Sequence, residues 1–253
     1  MGTPFSTLSR NKPAAGVITS SPLAMARLAG LLYLLIAAAA AVTHAYVPAQ
    51  LIVAGDVAAT VGRIAAAQPL FRLGIAAEYV ILLSEVALCV LLYALFRPLS
   101  ATLALMMVSF RLVMTAIHGA NMLNQFVVLN LSGEGATAAL LAPEQQGQLV
   151  ALFLYAYQAG FAIGIVFLVP HVFLLGYLVL VSGFLPRPLG LLLLLAGCGY
   201  LIDSIGLLAL PGYTETPAVV ALIIAAAEIA FPLWLLFKGI DGERWRQRAA
   251  VAQ

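Results

Sequence analysis

The sequence predicts an all-α integral membrane protein, a bundle of six transmembrane helices with both termini in the cytoplasm. Of its 253 residues, 64% are hydrophobic and only 9% are charged, whereas a soluble domain carries roughly 25% charged residues. Six apolar runs are long enough to cross the hydrocarbon core, which takes about 20 residues of helix. The lipid bilayer is therefore the expected partner of most side chains. A net charge of +2 gives no reason to expect binding to nucleic acid.

The predicted spans follow the apolar runs in order along the chain. They cover residues 24–45, 73–96, 101–126, 148–181, 189–209 and 218–237. The flanking residues 1–23 are predicted to be a disordered cytoplasmic tail, and residues 240–253 a basic cytoplasmic tail. Residues 24–239 then form the transmembrane domain.

The fourth run is longer than one crossing needs and contains Pro170, so it predicts either one long helix or two short ones. The distribution of Lys and Arg decides between them, because cytoplasmic loops carry an excess of both. With one helix, nine of the twelve basic residues lie on the cytoplasmic side, two lie outside and Arg111 lies in the membrane. The cytoplasmic nine are Arg10, Lys12, Arg27, Arg97, Arg187, Lys238, Arg244, Arg246 and Arg248, and the outer two are Arg63 and Arg72.

The connections carry turn and cap signals. Both cytoplasmic hairpins turn at an Arg-Pro-Leu tripeptide, at residues 97–99 and 187–189, where proline ends a helix and arginine anchors the turn at the headgroups. Outside, Gly55-Asp56 predicts a turn and an N-cap for a short interfacial helix over residues 57–68. Pro143 predicts the first turn of the fourth helix.

Seven ionisable residues fall inside the predicted spans, where an ionised group costs about 2.5–3.5 kcal/mol on insertion scales. Such residues face the bundle interior and find partners there. They are the candidate binding or proton-handling residues, namely Glu78, Glu85, Arg111, His118, His171, Asp203 and Glu228.

The second and third spans form an antiparallel hairpin, so residues at equal depth have residue numbers with a constant sum. The pairs Glu85–Arg111 and Glu78–His118 share the same sum, which predicts two matched rungs. Counting about 1.5 Å per residue from the cytoplasmic end, Glu85, Arg111, His171 and Glu228 lie near the midplane. Asp203 lies nearer the Glu78–His118 level.

Four carboxylates thus share an interior with one arginine and two histidines. Protonation of a carboxyl group, a bound cation or a positively charged ligand would offset the excess negative charge. The alternative for the Glu85–Arg111 pair is a structural latch that fixes the hairpin register.

Motifs of familiar chemistry are absent from the sequence. It has no Walker loop, no dinucleotide fingerprint, no His-Glu-x-x-His and no Gly-x-Ser-x-Gly. Both lysines, Lys12 and Lys238, lie outside the spans and exclude a retinal Schiff base. We therefore predict no cofactor and no metal; His44 and His118 are only a weak candidate pair for haem. Tyr155, Tyr157 and Gln158 lie on the outer part of the fourth span and are interpreted as interfacial residues, with a substrate site as the alternative.

Four segments resemble a family of uncharacterised bacterial membrane proteins, known as domain of unknown function 4386. These segments are Leu28-Ala29-Gly30-Leu31-Leu32-Tyr33, Leu70-Phe71-Arg72-Leu73-Gly74, Phe110-Arg111-Leu112-Val113 and Gly199-Tyr200-Leu201-Ile202-Asp203-Ser204. The resemblance covers roughly residues 25–239. It implies a bacterial cytoplasmic membrane protein and brings no activity or catalytic residue.

Three functional hypotheses follow. The first is a small transporter or ligand-binding protein whose interior carboxylates take up protons or cations. The second is an intramembrane enzyme on a lipid-soluble substrate, with the Glu78–His118 level and Asp203 as acid and base. The third is a structural or regulatory membrane subunit in which the charges are latches.

Overall fold

The structure, a computed structural model, describes residues 21–133, 140–210, 213 and 216–251, and every regular element in those residues is a helix. Six helical segments are long and apolar enough to cross a membrane, as predicted. The helices are α1 (Pro22–Ala40), a π-helical turn (Ala41–Tyr46), α2 (Val47–Leu51), α3 (Val57–Ala66), α4 (Gln68–Phe96), α5 (Ala101–Leu131), α6 (Pro143–Ser182), α7 (Arg187–Ala209), α8 (Ala218–Phe237) and α9 (Gly242–Val251). The first span consists of α1, the π-helical turn and α2 together.

The predicted caps and breaks set several of these limits. The Asp56 carboxylate accepts a hydrogen bond from the Ala59 amide at 2.8 Å and begins α3, which is the predicted short helix. Ser100 caps α5 in the same way, and Pro143 occupies the first turn of α6. The fourth predicted span is one continuous helix that contains Pro170.

Three helices extend about five residues beyond their predicted limits. Helix α4 begins at Gln68 rather than residue 73, α5 ends at Leu131 rather than 126, and α6 begins at Pro143 rather than about 148. The hydrocarbon thickness limits only the apolar part of a helix. The added turns of α4 and α6 are partly polar, whereas the added turn of α5 is mostly apolar and is buried in an apolar cluster at Val128 and Leu129.

The first span continues past its predicted end at residue 45 through a π-helical turn. Pro48 lacks an amide hydrogen, and in a regular α-helix its ring would clash with the carbonyl of His44. The wider turn relieves that clash, and the Val47 amide bonds the carbonyl of Val42, five residues back. This turn changes the direction in which Thr43 and His44 point.

The six spans form a closed ring in chain order, since each packs on the next and α8 packs on α1. Small residues allow the closest approaches. A Cβ atom on Gly30 would lie 2.6 Å from the Leu236 amide nitrogen and 2.7 Å from the Pro232 carbonyl oxygen on α8. The Gly160 and Gly164 step, interpreted from the sequence as a close helix contact, lies against Asn121 and His118 of α5.

The ring has two different ends, which we call the turn end and the loop end. At the turn end α1 begins, α8 ends, and short turns join α4 to α5 and α6 to α7. One large apolar cluster fills this end and includes Leu92, Phe96, Leu178 and Phe184. A second cluster at the loop end involves α2 to α6, and no described side chain of α7 or α8 belongs to it.

The segment predicted only as a basic tail forms helix α9 over Gly242–Val251. It docks on the turn end, where the Trp245 indole donates a hydrogen bond to the Leu95 carbonyl at 2.8 Å. The Arg244 guanidinium donates to the Gly183 carbonyl at 3.0 Å. The predicted disordered tail falls almost wholly on residues 1–20, outside the described part of the chain.

Candidate functional site

A cavity of about 360 Å³ lies inside the ring and is lined by side chains from all six spans. Most of the lining is aliphatic or aromatic. All seven predicted site residues line this one cavity. The ionisable lining residues are Glu78, Glu85, Arg111, His118, His171, Asp203 and Glu228, together with His44.

Glu85 and Arg111 form a buried ion pair between α4 and α5, as the residue-number sum predicts. The Arg111 Nη2 donates to Glu85 Oε1 at 2.8 Å, and its Nε donates to the second carboxylate oxygen. The two residues are 3% and 5% exposed. Two parallel hydrogen bonds of this kind are the strong form of a charged pair.

Further partners occupy the rest of the Arg111 guanidinium. Its Nη1 lies 3.0 Å from His171 Nε2, and the ring of Tyr33 lies 5.0 Å from Cζ. The other nitrogen of His171, Nδ1, lies 2.9 Å from the Met107 carbonyl. A carbonyl only accepts, so Nδ1 carries the hydrogen, and Nε2 accepts from Arg111. His171 is thus a neutral partner, and Glu85 supplies the whole countercharge.

Glu78 and His118 line the same cavity, but the predicted rung between them is not a bonded pair. Glu78 accepts hydrogen bonds from the hydroxyls of Tyr157 on α6 and, at 3.4 Å, Thr43 in the π-helical turn. His44 Nε2 lies 3.5 Å from the same carboxylate oxygen. The histidine that faces Glu78 is therefore His44, in the π-helical turn. The spacing of apolar residues in the sequence does not reveal that the helix turns this side chain toward Glu78.

His118 turns instead toward α6, where Gly164 leaves space for its ring. Its Nε2 lies 3.2 Å from the Phe161 carbonyl. The Phe161 ring stacks on His118 at 4.7 Å between centroids and contacts His44 at 4.8 Å. The two histidines considered for haem are thus separated by a phenyl ring.

Hydroxyl groups hold the other two carboxylates. Asp203 accepts from Tyr213 at 2.9 Å and from Thr216 at 2.7 Å, both in the α7–α8 connection. Glu228 accepts from the Tyr200 hydroxyl across the α7–α8 contact. In the described part of the chain, Arg111 is the one lysine or arginine that lines the cavity. Glu78, Asp203 and Glu228 therefore have hydroxyl donors in place of the permanent cation that Glu85 has.

The tyrosine donors are the site residues that the sequence reasoning missed. Tyr157 was interpreted as an interfacial aromatic, whereas its hydroxyl bonds Glu78; Tyr155, two residues earlier, is 69% exposed and fits that description. Depth was the available signal for Tyr200, which lies 13 residues into α7, about 20 Å from its start. A tyrosine that deep is not at the interface, and its hydroxyl needs a partner.

The model of a family described as a domain of unknown function, DUF4386, matches residues 28–239. The chain belongs to this family. It is also 31% identical over 161 residues to an uncharacterized protein of Archaeoglobus fulgidus, across 64% of this chain and 80% of that protein. No solved structure matches the chain.

The family match covers all six spans except residues 22–27 of the first, so it includes the cavity and each of its ionisable residues. The family description carries no activity. Among the described residues, no three His, Cys, Asp or Glu side chains are grouped closely enough to hold a metal ion.

Proposed function

We propose that this protein is a small membrane transporter or ligand-binding protein whose cavity carboxylates take up protons or cations. The observation that carries the proposal is the imbalance of charge in one enclosed space. Glu85 is matched by Arg111 in a bidentate pair, whereas Glu78, Asp203 and Glu228 face the same cavity with hydroxyl donors and no lysine or arginine partner among the described residues. A proton or a cation at these three carboxylates would offset their charge in a medium of low dielectric constant.

The cavity volume supports a ligand site, since about 360 Å³ lies within the range of small-molecule pockets. The Glu85–Arg111 pair contributes differently, as a latch that fixes α4 against α5. The same membrane protein thus combines a rigid charged pair with three carboxylates that are available for exchange. We place it in a bacterial cytoplasmic membrane with the turn end on the cytoplasmic side, supported by the excess of basic residues at that end.

The proposal is tested by following carboxyl protonation directly. Infrared spectra of the protein in lipid nanodiscs between pH 5 and 9 should show a carboxylic-acid stretch that is lost as the pH rises. Glu78→Gln, Asp203→Asn or Glu228→Gln should remove the band, and Glu144→Gln should leave it unchanged, because Glu144 lies exposed in the first turn of α6. Proteoliposomes holding a pH-sensitive dye would then report proton flux driven by a sodium gradient.

The absence of any carboxylic-acid band, with all three amide variants folded and spectrally unchanged, would contradict the proposal. The carboxylates would then be ionised structural groups, as in the third hypothesis.

A further inference from the structure

The cavity has one exposed stretch of wall, which we call the mouth. Nearly all the lining residues are buried or half-buried. Three are exposed, namely Ala37 and His44 of the first span and Glu228 of α8. The mouth therefore lies in the side wall of the ring, between the first span and α8.

The packing of α8 explains why the wall opens there. Toward the turn end α8 meets the backbone of Gly30 closely. Toward the loop end α8 packs against α7, where its Val220 and Ile224 side chains contact Gly199. Ala41 of the first span, on the same face as Ala37, is exposed there, as are Val219, Leu222 and Ala225 of α8. The two helices thus part on the loop side of their contact.

The mouth opens at the depth of the lipid tails. Glu228 lies nine residues before the end of α8, about 14 Å along the helix. An exposed carboxylate at this depth is unfavourable against hydrocarbon. Its hydrogen bond in the described structure comes from the neutral hydroxyl of Tyr200. A positive group arriving at the mouth would meet a carboxylate with no cationic partner there.

Behind the mouth, the surfaces suit a cation with an apolar body. Glu78 and Asp203 lie deeper in the wall, and the aliphatic lining gives apolar contact. The rings of Phe161 and His118, stacked on each other, add further apolar surface to this lining. A small hydrated ion gains nothing from most of this lining.

We propose that the cavity binds a lipophilic organic cation, which comes from the bilayer through the mouth between the first span and α8. This inference rests on the proposed function, because it names the ligand class and the route for the same carboxylates. The bilayer is the source because the exposed wall lies between two spans.

Binding is tested with three probes on the protein in nanodiscs, with empty nanodiscs as the background. Tetraphenylphosphonium has the required charge and apolar body. Tetraphenylborate has nearly the same shape and the opposite charge, and tetramethylammonium has the charge without the apolar body. We expect tetraphenylphosphonium alone to bind, with an affinity about tenfold weaker in Glu228→Gln, since charges near a protein surface interact strongly at short range. Equal binding of the borate, or no binding of the phosphonium, would overturn the ligand class.

The route is tested by adding bulk to the mouth after folding. In a Cys198→Ala background, which removes the exposed native thiol, Ala37→Cys and Ala38→Cys are labelled with benzyl methanethiosulfonate. Ala38 is the matched control, because it is exposed on the same helix and does not line the cavity. The label at residue 37 should slow association of tetraphenylphosphonium at least tenfold, and the label at residue 38 should leave the rate unchanged. Equal rates would overturn the route.

A second copy of the chain covering the mouth is the competing occupant. Light scattering of the purified protein would then show a dimer that dissociates when residue 37 is labelled, and that result would overturn access from the bilayer. The outcomes also separate this inference from the proposed function. If phosphonium does not bind but the carboxylic-acid band is present, only the proposed ligand class is contradicted. If the band is absent, the proposed function itself is contradicted.

Discussion

At the scale of single residues, Arg111 shows how a permanent charge is tolerated in the middle of a membrane protein. The guanidinium has a bidentate carboxylate partner in Glu85, a neutral acceptor in His171 and an aromatic face in Tyr33. Removing one member of a buried charged pair leaves the other uncompensated, and the cost exceeds the net contribution of the intact pair. The pair should therefore act as a unit.

The first prediction is a double-mutant cycle on this pair. Glu85→Gln or Arg111→Gln alone should lower the free energy of unfolding by about 3–5 kcal/mol, whereas the double variant should lose less than the sum of the two. Unfolding by sodium dodecyl sulfate from mixed micelles measures the three values. Additive losses would show that the two side chains do not interact in the folded protein.

The second prediction compares two tyrosines on one helix. Tyr157→Phe should cost about 1–3 kcal/mol, because it removes the closer of the two hydroxyl donors to the buried Glu78 and leaves only the longer contact from Thr43. Tyr155→Phe is the control and should change stability by less than about 0.5 kcal/mol, because Tyr155 is exposed. The same unfolding assay applies to both. Equal effects would place the two hydroxyls in equivalent surroundings and contradict the contact with Glu78.

The residues that could be predicted were those fixed by the hairpin geometry. A tight turn joins α4 and α5, so residues at equal depth on the two helices could be paired from their numbers. This predicted the contact between Glu85 and Arg111. The same reasoning failed for Glu78 and His118, because equal depth does not fix where a side chain points. A π-helical turn on one neighbour and a glycine step on another redirected both groups, and neither feature follows from hydrophobic periodicity.

At the scale of helices, close backbone contacts determine how the spans meet. Gly30 is the clearest case, since backbone atoms of α8 lie where its side chain would be. Backbone cannot move aside as a flexible side chain can, so an added methyl group must separate the two helices. The contact fixes α1 on α8 at one side of the mouth.

The third prediction tests this contact. Gly30→Ala should destabilise the protein by about 1–3 kcal/mol through overpacking. Gly119→Ala on α5 is the matched control, because its methyl group would meet only Leu82 Cδ1 at an ordinary 3.6 Å. Thermal unfolding in detergent reports both changes. A Gly30→Ala variant as stable as Gly119→Ala would rule out the close crossing of α1 and α8.

Hydropathy predicted the number, order and type of the spans, because the bilayer demands about 20 apolar residues per crossing whatever the packing. It did not predict α9, whose docking depends on Trp245 reaching the Leu95 carbonyl. Whether a short polar helix docks depends on the surface of the folded bundle, and the sequence of the helix alone does not show that surface. The extra turns of α4 and α6 were missed because they are partly polar, and that of α5 because an apolar run does not show where a helix leaves the hydrocarbon core.

At the scale of the whole molecule, closure of six spans into a ring produces the central cavity. The turn end is filled by a continuous apolar cluster and covered by α9, whereas none of the side chains described in α7 and α8 joins the cluster at the loop end. The apolar cluster thus closes the cavity toward the turn end, and the orientation of the chain decides which side of the membrane that closed end faces.

The fourth prediction is that orientation. Arg97 and Arg187 lie in the turns of the turn end, and α9 adds three arginines there, whereas the loop end has Arg63 and Arg72. The positive-inside rule then places the turn end in the cytoplasm. Single cysteines in the Cys198→Ala background report it through a membrane-impermeant maleimide applied to intact spheroplasts. Cysteines replacing the exposed Ala54 and Ala142 should react at once, and one replacing Pro188 should react only after permeabilisation. Reaction at residue 188 in intact spheroplasts, with residues 54 and 142 protected, would contradict this orientation. The turn end would then face outward, and the cavity would be closed toward the outside.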